Sequence, residues 1–316
     1  MAKAPRQVDV SVDAITADLV AVLVAVTDGQ PKIMTIANAT ALPSGPFRFA
    51  HRSLQMGLRA WVEAQTGHPL GYVEQLYTFA DRGRTGDPKA PHRISISYLG
   101  LTREERVHEE SEAQWSSWYD YFPWEDHRAG APVLIAKTVA PKLRAWAKSA
   151  TNPALHKERW QRAVITFGID GRDWNEELVV QRYELLYEAS LIPEAVRDKG
   201  GTAPVMPGRA MTADHRRILA TGIARLRAKI KYRPVVFELM PAEFTLLQLQ
   251  RSVEALAGRL VHKQNFRRLI EQQELVEETG TVAADTIGRP AKLFRFRQGV
   301  VAERAVIGTK LPLSRS

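Results

Sequence analysis

Residues 244–296 read FTLLQLQRSVEALAGRLVHKQNFRRLIEQQELVEETGTVAADTIGRPAKLFRF, and this stretch decides the fold of the C-terminal part. A first helix should begin at Thr245, because a threonine followed three residues later by Gln248 forms a capping box. Gly258 is a typical residue to end that helix. Between these caps, apolar residues recur at helical spacing and predict one buried face: Leu246, Leu249, Val253 and Leu256.

A second helix is predicted over residues 262–273, and its two faces differ in chemistry. One face is apolar: Phe266, Leu269 and Ile270. The other face is polar and mainly basic: Lys263, Gln264, Arg267 and Arg268, with Asn265 near its edge. Arginine and lysine suit phosphates and guanine, whereas glutamine and asparagine suit adenine. The pattern favours a helix that reads DNA, and the alternative is an ordinary solvated surface helix.

The residues that follow predict a two-stranded wing. We expect a short strand over residues 275–278, a turn at Gly280 and a second strand over residues 292–297, where phenylalanines alternate with arginines. Arg289 lies between a glycine and a proline, so a narrow loop tip can place it in a minor groove or on a phosphate. The alternative is an ordinary turn. Helix, basic helix, hairpin and basic tip in this order predict a winged helix-turn-helix domain.

Eight side chains are candidate DNA contacts: Thr245, Lys263, Gln264, Asn265, Arg267, Arg268, Arg289 and Lys292. The N-terminal end of a reading helix contacts base edges, so Gln264 and Asn265 should read the sequence, unless Asn265 holds the preceding turn. Arg267 and Arg268 lie a turn further on and suit phosphates. The expected partner is a palindromic double-stranded operator bound by a homodimer.

This pattern resembles the Nudix-related transcriptional regulators of NAD metabolism called NrtR, with the alphaproteobacterial NadQ branch as a suggested variant. The residues that carry the resemblance are Asp214-His215, Arg225-Leu226-Arg227, Phe244-Thr245, Leu249-Gln250, Lys263, Asn265-Phe266-Arg267-Arg268, Gly280 and Gly288-Arg289-Pro290-Ala291. The resemblance covers the C-terminal third of the chain well and the N-terminal third more loosely. The resemblance implies a ligand-responsive repressor of genes for NAD synthesis or salvage.

The basic residues are unevenly distributed along the chain. The 316 residues carry a net charge of +9 at pH 7. Residues 205–316 hold 20 lysines and arginines against 10 acidic residues, whereas residues 1–204 hold 24 against 25. The positive excess therefore lies in the part predicted to bind DNA, and electrostatics predicts a polyanionic partner for it. A membrane surface, the rival polyanion, is not supported by any basic helix with an aromatic-rich apolar face.

The composition bounds the class of protein further. The chain is 45% hydrophobic and long enough for two globular domains. It has no cysteine, which excludes disulfides and thiolate metal sites. Its longest apolar run, residues 19–26, is too short to cross a bilayer, and the N-terminus lacks an apolar signal core. A cytoplasmic protein with no membrane partner is expected.

The N-terminal part predicts an α+β sandwich. Its elements in order are a strand over 19–26, a turn at Asp28-Gly29, a strand over 32–37, a helix over 52–65 that ends at Gly67, and strands over 72–80 and 92–101. This order resembles the Nudix domain, and residues 184–188 (ELLYE) resemble the last Nudix helix of the regulators. The fold class expected for the whole chain is therefore α+β, with a Nudix-like α/β/α sandwich before the winged helix-turn-helix.

The acidic signature of the Nudix family is degenerate in this chain. That family uses several glutamates to hold the Mg²⁺ ion that activates water. Aligned on Gly67, the Glu-Glu pair falls on Ala64 and Gln65; aligned on Arg59, it falls on Glu63 and Ala64. At most one carboxylate remains, so we expect no catalytic residue, no metal site and no enzyme activity. The alternative is an active Nudix-type nucleotide pyrophosphatase with a nucleic-acid-binding domain.

A nucleotide effector is expected to replace the substrate. The resemblance implies an adenine nucleotide or NAD derivative, namely ADP-ribose, NAD or ATP, and no required cofactor. A diphosphate in a cleft with few carboxylates needs basic partners. Candidate ligand-binding residues are Arg48, Arg52 and Arg82 for the phosphates, and Phe79 for a base or ribose.

The division into domains is expected near residue 205. Residues 1–205 would form the ligand-sensing domain, with an inserted segment over about 102–175, and residues 206–316 the DNA-binding domain. The insertion holds six aromatic residues close together: Trp115, Trp118, Tyr119, Tyr121, Phe122 and Trp124. Packing into a core is the favoured role for them, and a cofactor- or base-stacking site is the alternative.

Overall fold

A six-stranded mixed sheet forms the centre of the computed structural model, which describes residues 15–71, 73–81, 92–104, 111–201, 206–232, 236–283, 290–297 and 299. The strands of this sheet are β1 (Ile15–Thr27), β2 (Gln30–Thr35), β3 (Ser44–Pro46), β4 (Val73–Phe79), β5 (His92–Leu101) and β6 (Gln114–Ser117). Their order is β4-β5-β1-β2-β6, and β3 pairs with β1. β1 runs parallel to β5 and antiparallel to β2 and β3.

Strand β1 separates two hydrophobic cores, because its successive side chains point to opposite faces of the sheet. On one face, Leu19, Ala21 and Leu23 pack with helix α1 (Leu54–Thr66). The Ser53 side chain caps the first turn of α1, and Gly67 ends it in the left-handed conformation with a φ of 66°. The predicted helix over 52–65 and its glycine stop are thereby confirmed.

The other face of the sheet is covered by further helices: α2 (Ala140–Lys148), α3 (Pro153–Phe167), α4 (Val179–Glu188), α5 (Pro193–Lys199) and α6 (His215–Tyr232). α6 crosses β1 closely, since a Cβ at Gly222 would lie 3.0 Å from Val22. The predicted α/β/α sandwich is confirmed. Helices α3 and α5 have no counterpart among the sequence predictions. The predicted domain boundary near residue 205 stays a prediction.

The C-terminal residues form a winged helix. Helix α7 (Leu246–Ala257) is followed by α8 (Lys263–Gln272) and by an antiparallel hairpin of β7 (Val276–Val282) and β8 (Lys292–Phe296). The hairpin is fastened to the start of α7 by paired backbone hydrogen bonds between Phe244 and Phe294. The core on the face of the sheet opposite α1 continues into these helices through Leu249, Phe266 and Ile270.

One prediction about the wing is wrong. Gly280 does not mark a turn but lies within β7, with a φ of 83°. The pairing with β8 shifts register between Glu278 and Val282, so β7 has extra residues there. Glycine suits such an irregularity because it adopts positive φ without steric cost.

Five of the six aromatic residues of the insertion lie in the core on the face of the sheet opposite α1, whereas Trp115 packs against the core under α1. Trp118, Tyr121, Phe122 and Trp124 are fully buried, which confirms packing as their role. No helix among the described residues is long and apolar enough to cross a membrane.

Candidate nucleic-acid interface

Helix α8 is anchored on one side and solvated on the other. Phe266 and Ile270 are buried against the rest of the protein. The side chains between and before them are exposed: Lys263, Gln264, Asn265, Arg267 and Arg268. Within the described residues, none of these five makes a hydrogen bond or an ion pair through its side chain. The polar face predicted from the sequence therefore projects outward, free to contact a partner.

The turn before α8 is held by polar residues that the sequence interpretation did not single out for this role. The carboxylate of Glu254 accepts a hydrogen bond from the Val261 amide at 3.0 Å, and the Gln250 amide group donates to the Val261 carbonyl at 3.3 Å. Gln250 also donates to Glu254 at 2.9 Å. Both side chains are buried on α7. Their spacing of one helical turn within an apolar face was the signal that could have identified them.

The N-terminus of α8 is open to an anion. Its N-cap residue, His262, makes no side-chain capping hydrogen bond. The first amides of a helix lack partners within the helix and carry a partial positive charge. Together with Lys263 in the first turn, they form an electropositive end that suits a phosphate oxygen.

Thr245 and Lys292 have partners within the protein. Thr245 caps α7, since its hydroxyl accepts a hydrogen bond from the Gln248 amide at 3.2 Å while the Gln248 side chain accepts one from the Thr245 amide at 2.7 Å. The predicted capping box is thereby confirmed. Lys292 forms an ion pair with Glu278 at 2.8 Å. The contacts of Thr245 and Lys292 with DNA remain predictions, and Arg289 lies outside the described residues.

Acidic residues neutralise the basic side chains of the wing. Besides Lys292–Glu278, the hairpin holds the ion pair Arg295–Glu277 at 2.7 Å, and just beyond its strands Arg297 pairs with Glu274 at 2.9 Å. The free positive charge of the described winged helix is therefore concentrated on α8.

The degenerate Nudix signature lies on α1. Glu63 is exposed, whereas the Gln65 side chain is committed to structure: it accepts a hydrogen bond from the Ser44 amide at 2.9 Å and donates to the Ser44 carbonyl at 2.8 Å. A pocket of about 440 Å³ adjoins this end of the helix and is lined by Ile36, Glu63, Ala64, Gln65, Gly67, Ser111 and Glu112. Its lining includes two carboxylates and no basic side chain, which does not favour an anion.

The three described candidates for ligand binding, Arg48, Arg52 and Phe79, do not converge on one site. Arg48 and Arg52 are exposed near the start of α1, where the Arg48 guanidinium lies 4.6 Å from the ring centroid of Trp61. Phe79 is buried in the core on the opposite face of the sheet, under the Arg217 guanidinium at 4.8 Å. Arg82 lies outside the described residues. A role in ligand binding for the four remains a prediction.

The fold resembles solved structures over most of its length. NrtR from Shewanella oneidensis, crystallised with a 27mer DNA, superposes with a TM-score of 0.54 at 18% identity, covering 90% of this chain and 95% of that one. A MutT/nudix family protein from Enterococcus faecalis gives 0.52 at 17% identity, covering 94% and 90%. These likenesses concern the fold. They define the chain as a Nudix-like domain joined to a winged helix domain, as predicted.

The winged helix is similar to a known family of DNA-binding domains. Residues 236–296 match the family model of the NrtR DNA-binding winged helix domain. A curated relative, the ADPR responsive transcriptional repressor NtrR of Acinetobacter baylyi, is 39% identical over 85 residues, which are 26% of this chain and 33% of that protein. The match thus spans about a third of the relative's length. The predicted resemblance to the NrtR regulators is confirmed, whereas the NadQ branch stays a prediction.

Proposed function

We propose that this protein is a transcriptional repressor that binds a double-stranded operator through α8. The observation that carries the proposal is the exposed face of α8, where five polar side chains have no partner within the described residues. Three of them are cationic: Lys263, Arg267 and Arg268. The match of residues 236–296 to a DNA-binding winged helix domain supports the same role. A homodimer on a palindromic operator completes the proposal, with genes of NAD synthesis or salvage as its targets.

ADP-ribose is the effector that we propose for the sheet domain. The curated relative is described as responsive to ADPR, and this description supports ADP-ribose over the other candidates, NAD and ATP. Arg48 and Arg52 are the described basic residues proposed to contact its phosphates, and Arg82 is a further predicted contact. Phe79 lies in the core on the opposite face of the sheet and is not part of this proposed site.

We further propose that the sheet domain does not hydrolyse nucleotides. Gln65 stands where one alignment of the Nudix signature has a glutamate, and its amide is engaged with Ser44. The described residues contain no cluster of three acidic or histidine side chains suited to a metal ion. Incubation with ADP-ribose and Mg²⁺ tests this proposal. Turnover on the order of 1 s⁻¹, within the usual range of enzymes, would favour the alternative of an active pyrophosphatase.

The proposed DNA binding is tested by comparing two variants of α8, one that lacks an expected base contact and one that lacks an expected phosphate contact. The operator is first selected from genomic fragments, and binding to operator and scrambled duplexes is then titrated at several salt concentrations. Gln264→Ala should lower operator affinity by about 1–3 kcal/mol and leave scrambled DNA unaffected, because it removes a base contact. Arg268→Ala should weaken both equally and reduce the salt slope by about one unit, because it removes a phosphate contact.

The complementary control uses a residue on another surface. Arg144→Ala removes an exposed arginine from α2, remote in sequence from the reading helix, and should bind both duplexes as the wild type does. If the Gln264→Ala and Arg268→Ala variants also behave like the wild type, α8 is not the reading helix. Light scattering of the complex should find two protomers per operator duplex, and a single protomer would refute the dimer.

A further inference from the structure

Residues 117–128, which we term the strap, connect the edge of the sheet to the winged helix. The strap leaves β6 at Ser117 and is fixed to the sheet side by three fully buried aromatic side chains: Trp118, Phe122 and Trp124. Two polar contacts reinforce this attachment to the sheet domain. The Tyr121 hydroxyl donates to the Ala39 carbonyl at 2.7 Å, and the Arg128 guanidinium donates to the Gly29 carbonyl. Hydrophobic burial thus holds the strap to the sheet domain.

The same segment contacts the last turn of α7 and the glycine that ends this helix. The Tyr119 hydroxyl donates to the Ala255 carbonyl at 2.7 Å, and the His127 amide donates to the Gly258 carbonyl at 2.6 Å. The backbones approach so closely that a Cβ at Gly258 would collide with the carbonyl oxygen of Glu125. Hydrogen bonds to backbone groups therefore fasten the strap to the end of α7, where the turn that precedes the reading helix begins.

A buried charge cluster lies under this contact. Glu125 is fully buried and accepts hydrogen bonds from Arg182 of α4 at 2.5 and 2.9 Å and from Arg227 of α6 at 2.5 Å. Arg227 in turn donates to the carbonyl of Leu256, in the last turn of α7, at 3.0 Å. Burial opposes ionisation of Glu125, but the two guanidinium groups outweigh it and hold the pKa of this carboxyl below its usual value.

We infer that the strap positions the reading helix for sequence recognition, with Tyr119 as a positioning residue. The inference rests on the proposed DNA-binding function. The reason is geometric: hydrogen bonds to base edges require donor–acceptor distances within a few tenths of an ångström, whereas attraction to phosphates through screened charge tolerates larger displacements. Loosening the turn before α8 should therefore weaken operator binding more than general DNA binding.

The test compares two tyrosine variants. Tyr119→Phe removes the hydrogen bond to Ala255 in the winged helix, and Tyr121→Phe removes a bond of equal length to Ala39 on the sheet side. Both hydroxyl bonds are buried, so both variants should lose a similar amount of thermal stability. Binding of the full-length variants to the selected operator and to a scrambled duplex is measured by fluorescence anisotropy. Amide hydrogen exchange of residues 258–262 is followed without DNA.

Tyr119→Phe should lose about three- to tenfold in operator affinity, with less than about twofold change on scrambled DNA, since a neutral buried hydrogen bond of this kind contributes about 1 kcal/mol. Exchange of residues 258–262 should accelerate. Tyr121→Phe should match the wild type in both measurements. Three results would overturn the positioning role of the strap and leave the proposed function standing. They are equal operator affinity of the wild type and Tyr119→Phe, an equal loss of operator affinity in Tyr121→Phe, and unchanged amide exchange in Tyr119→Phe. A wild type that does not distinguish operator from scrambled DNA overturns the proposed function instead.

Discussion

His215 is a buried histidine held in its neutral form at the start of α6. Its Nδ1 atom accepts a hydrogen bond from the Leu42 amide at 3.0 Å, which links the loop after β2 to α6. A nitrogen that accepts cannot carry a proton. Burial, and then the positive charges of Arg93 and Arg197, lower the pKa of His215 from 6.5 to about 4.

This pKa predicts how stability depends on pH. Because the folded-state pKa is lowered, the contribution of His215 is fully present above pH 6.5 and is lost as the pH falls from 6.5 to about 4, where the unfolded state binds the extra proton. The loss should reach about 3 kcal/mol. Urea unfolding between pH 4 and 7.5 measures it. His215→Asn, which retains an acceptor but does not titrate, should flatten the pH dependence. The same substitution at His156, an exposed histidine of α3, is the control.

Glu125 illustrates the opposite case, a buried charge kept ionised by two partners. Glu125→Gln leaves Arg182 and Arg227 without a countercharge in the core, and we expect a loss of about 3–5 kcal/mol in the free energy of unfolding. The control is Glu188→Gln, which breaks the half-exposed pair with Arg162 and should cost about 0–1 kcal/mol. Urea unfolding at pH 7 compares the two. Equal small losses would show that the buried cluster is not ionised as described.

Among the elements, α8 and the wing divide the positive charge of the C-terminal domain differently. The cations of α8 have no acidic partner within the described residues, whereas those of the wing strand β8 and its end are each paired with a glutamate. Cations already neutralised by carboxylates release fewer counterions from DNA.

The prediction at this scale concerns the salt dependence of DNA binding. Lys292→Ala should change the slope of log K against log salt by clearly less than one unit, because its charge is already compensated by Glu278. Glu278→Gln should steepen the slope, since it frees Lys292 for a phosphate. Titrations from low to moderate salt decide the matter. A full unit lost in Lys292→Ala would mean that the pair opens on DNA.

At the scale of the whole molecule, the sheet domain and the winged helix share one continuous core. Residues of β1, of α6 and of α7 belong to the same hydrophobic cluster. A ligand that binds the folded sheet domain should therefore stabilise the protein as a unit, since binding to the native state alone shifts the unfolding equilibrium.

Thermal unfolding with ADP-ribose tests this expectation. A concentration of one hundred times Kd should stabilise the protein by about 2.7 kcal/mol and raise its Tm. Arg48→Ala and Arg52→Ala should reduce the shift at a fixed ADP-ribose concentration, because each removes a cation proposed for the diphosphate. Arg172→Ala, another exposed arginine, is the control. An unchanged shift in both test variants would place the ligand elsewhere.

The sequence by itself determined the elements whose signals are local. The capping box of Thr245 and Gln248, the glycine stops at Gly67 and Gly258, and the apolar periodicity of α7 and α8 each depend on neighbouring residues. These signals were sufficient for the winged helix and for the exposed face of α8, because local hydrogen bonds and one-sided burial dictate both.

Only the tertiary structure decided which distant groups meet. It placed Phe79 on the face of the sheet opposite Arg48, because the pairing of β4 with β5 sets which face of the sheet each side chain of β4 occupies. It paired the basic residues of β8 with glutamates on the facing strand, which reduces the charge that the wing offers to DNA. It also brought Glu125 between arginines far away in sequence. Register across strands and packing between layers set these contacts, and no local pattern encodes them.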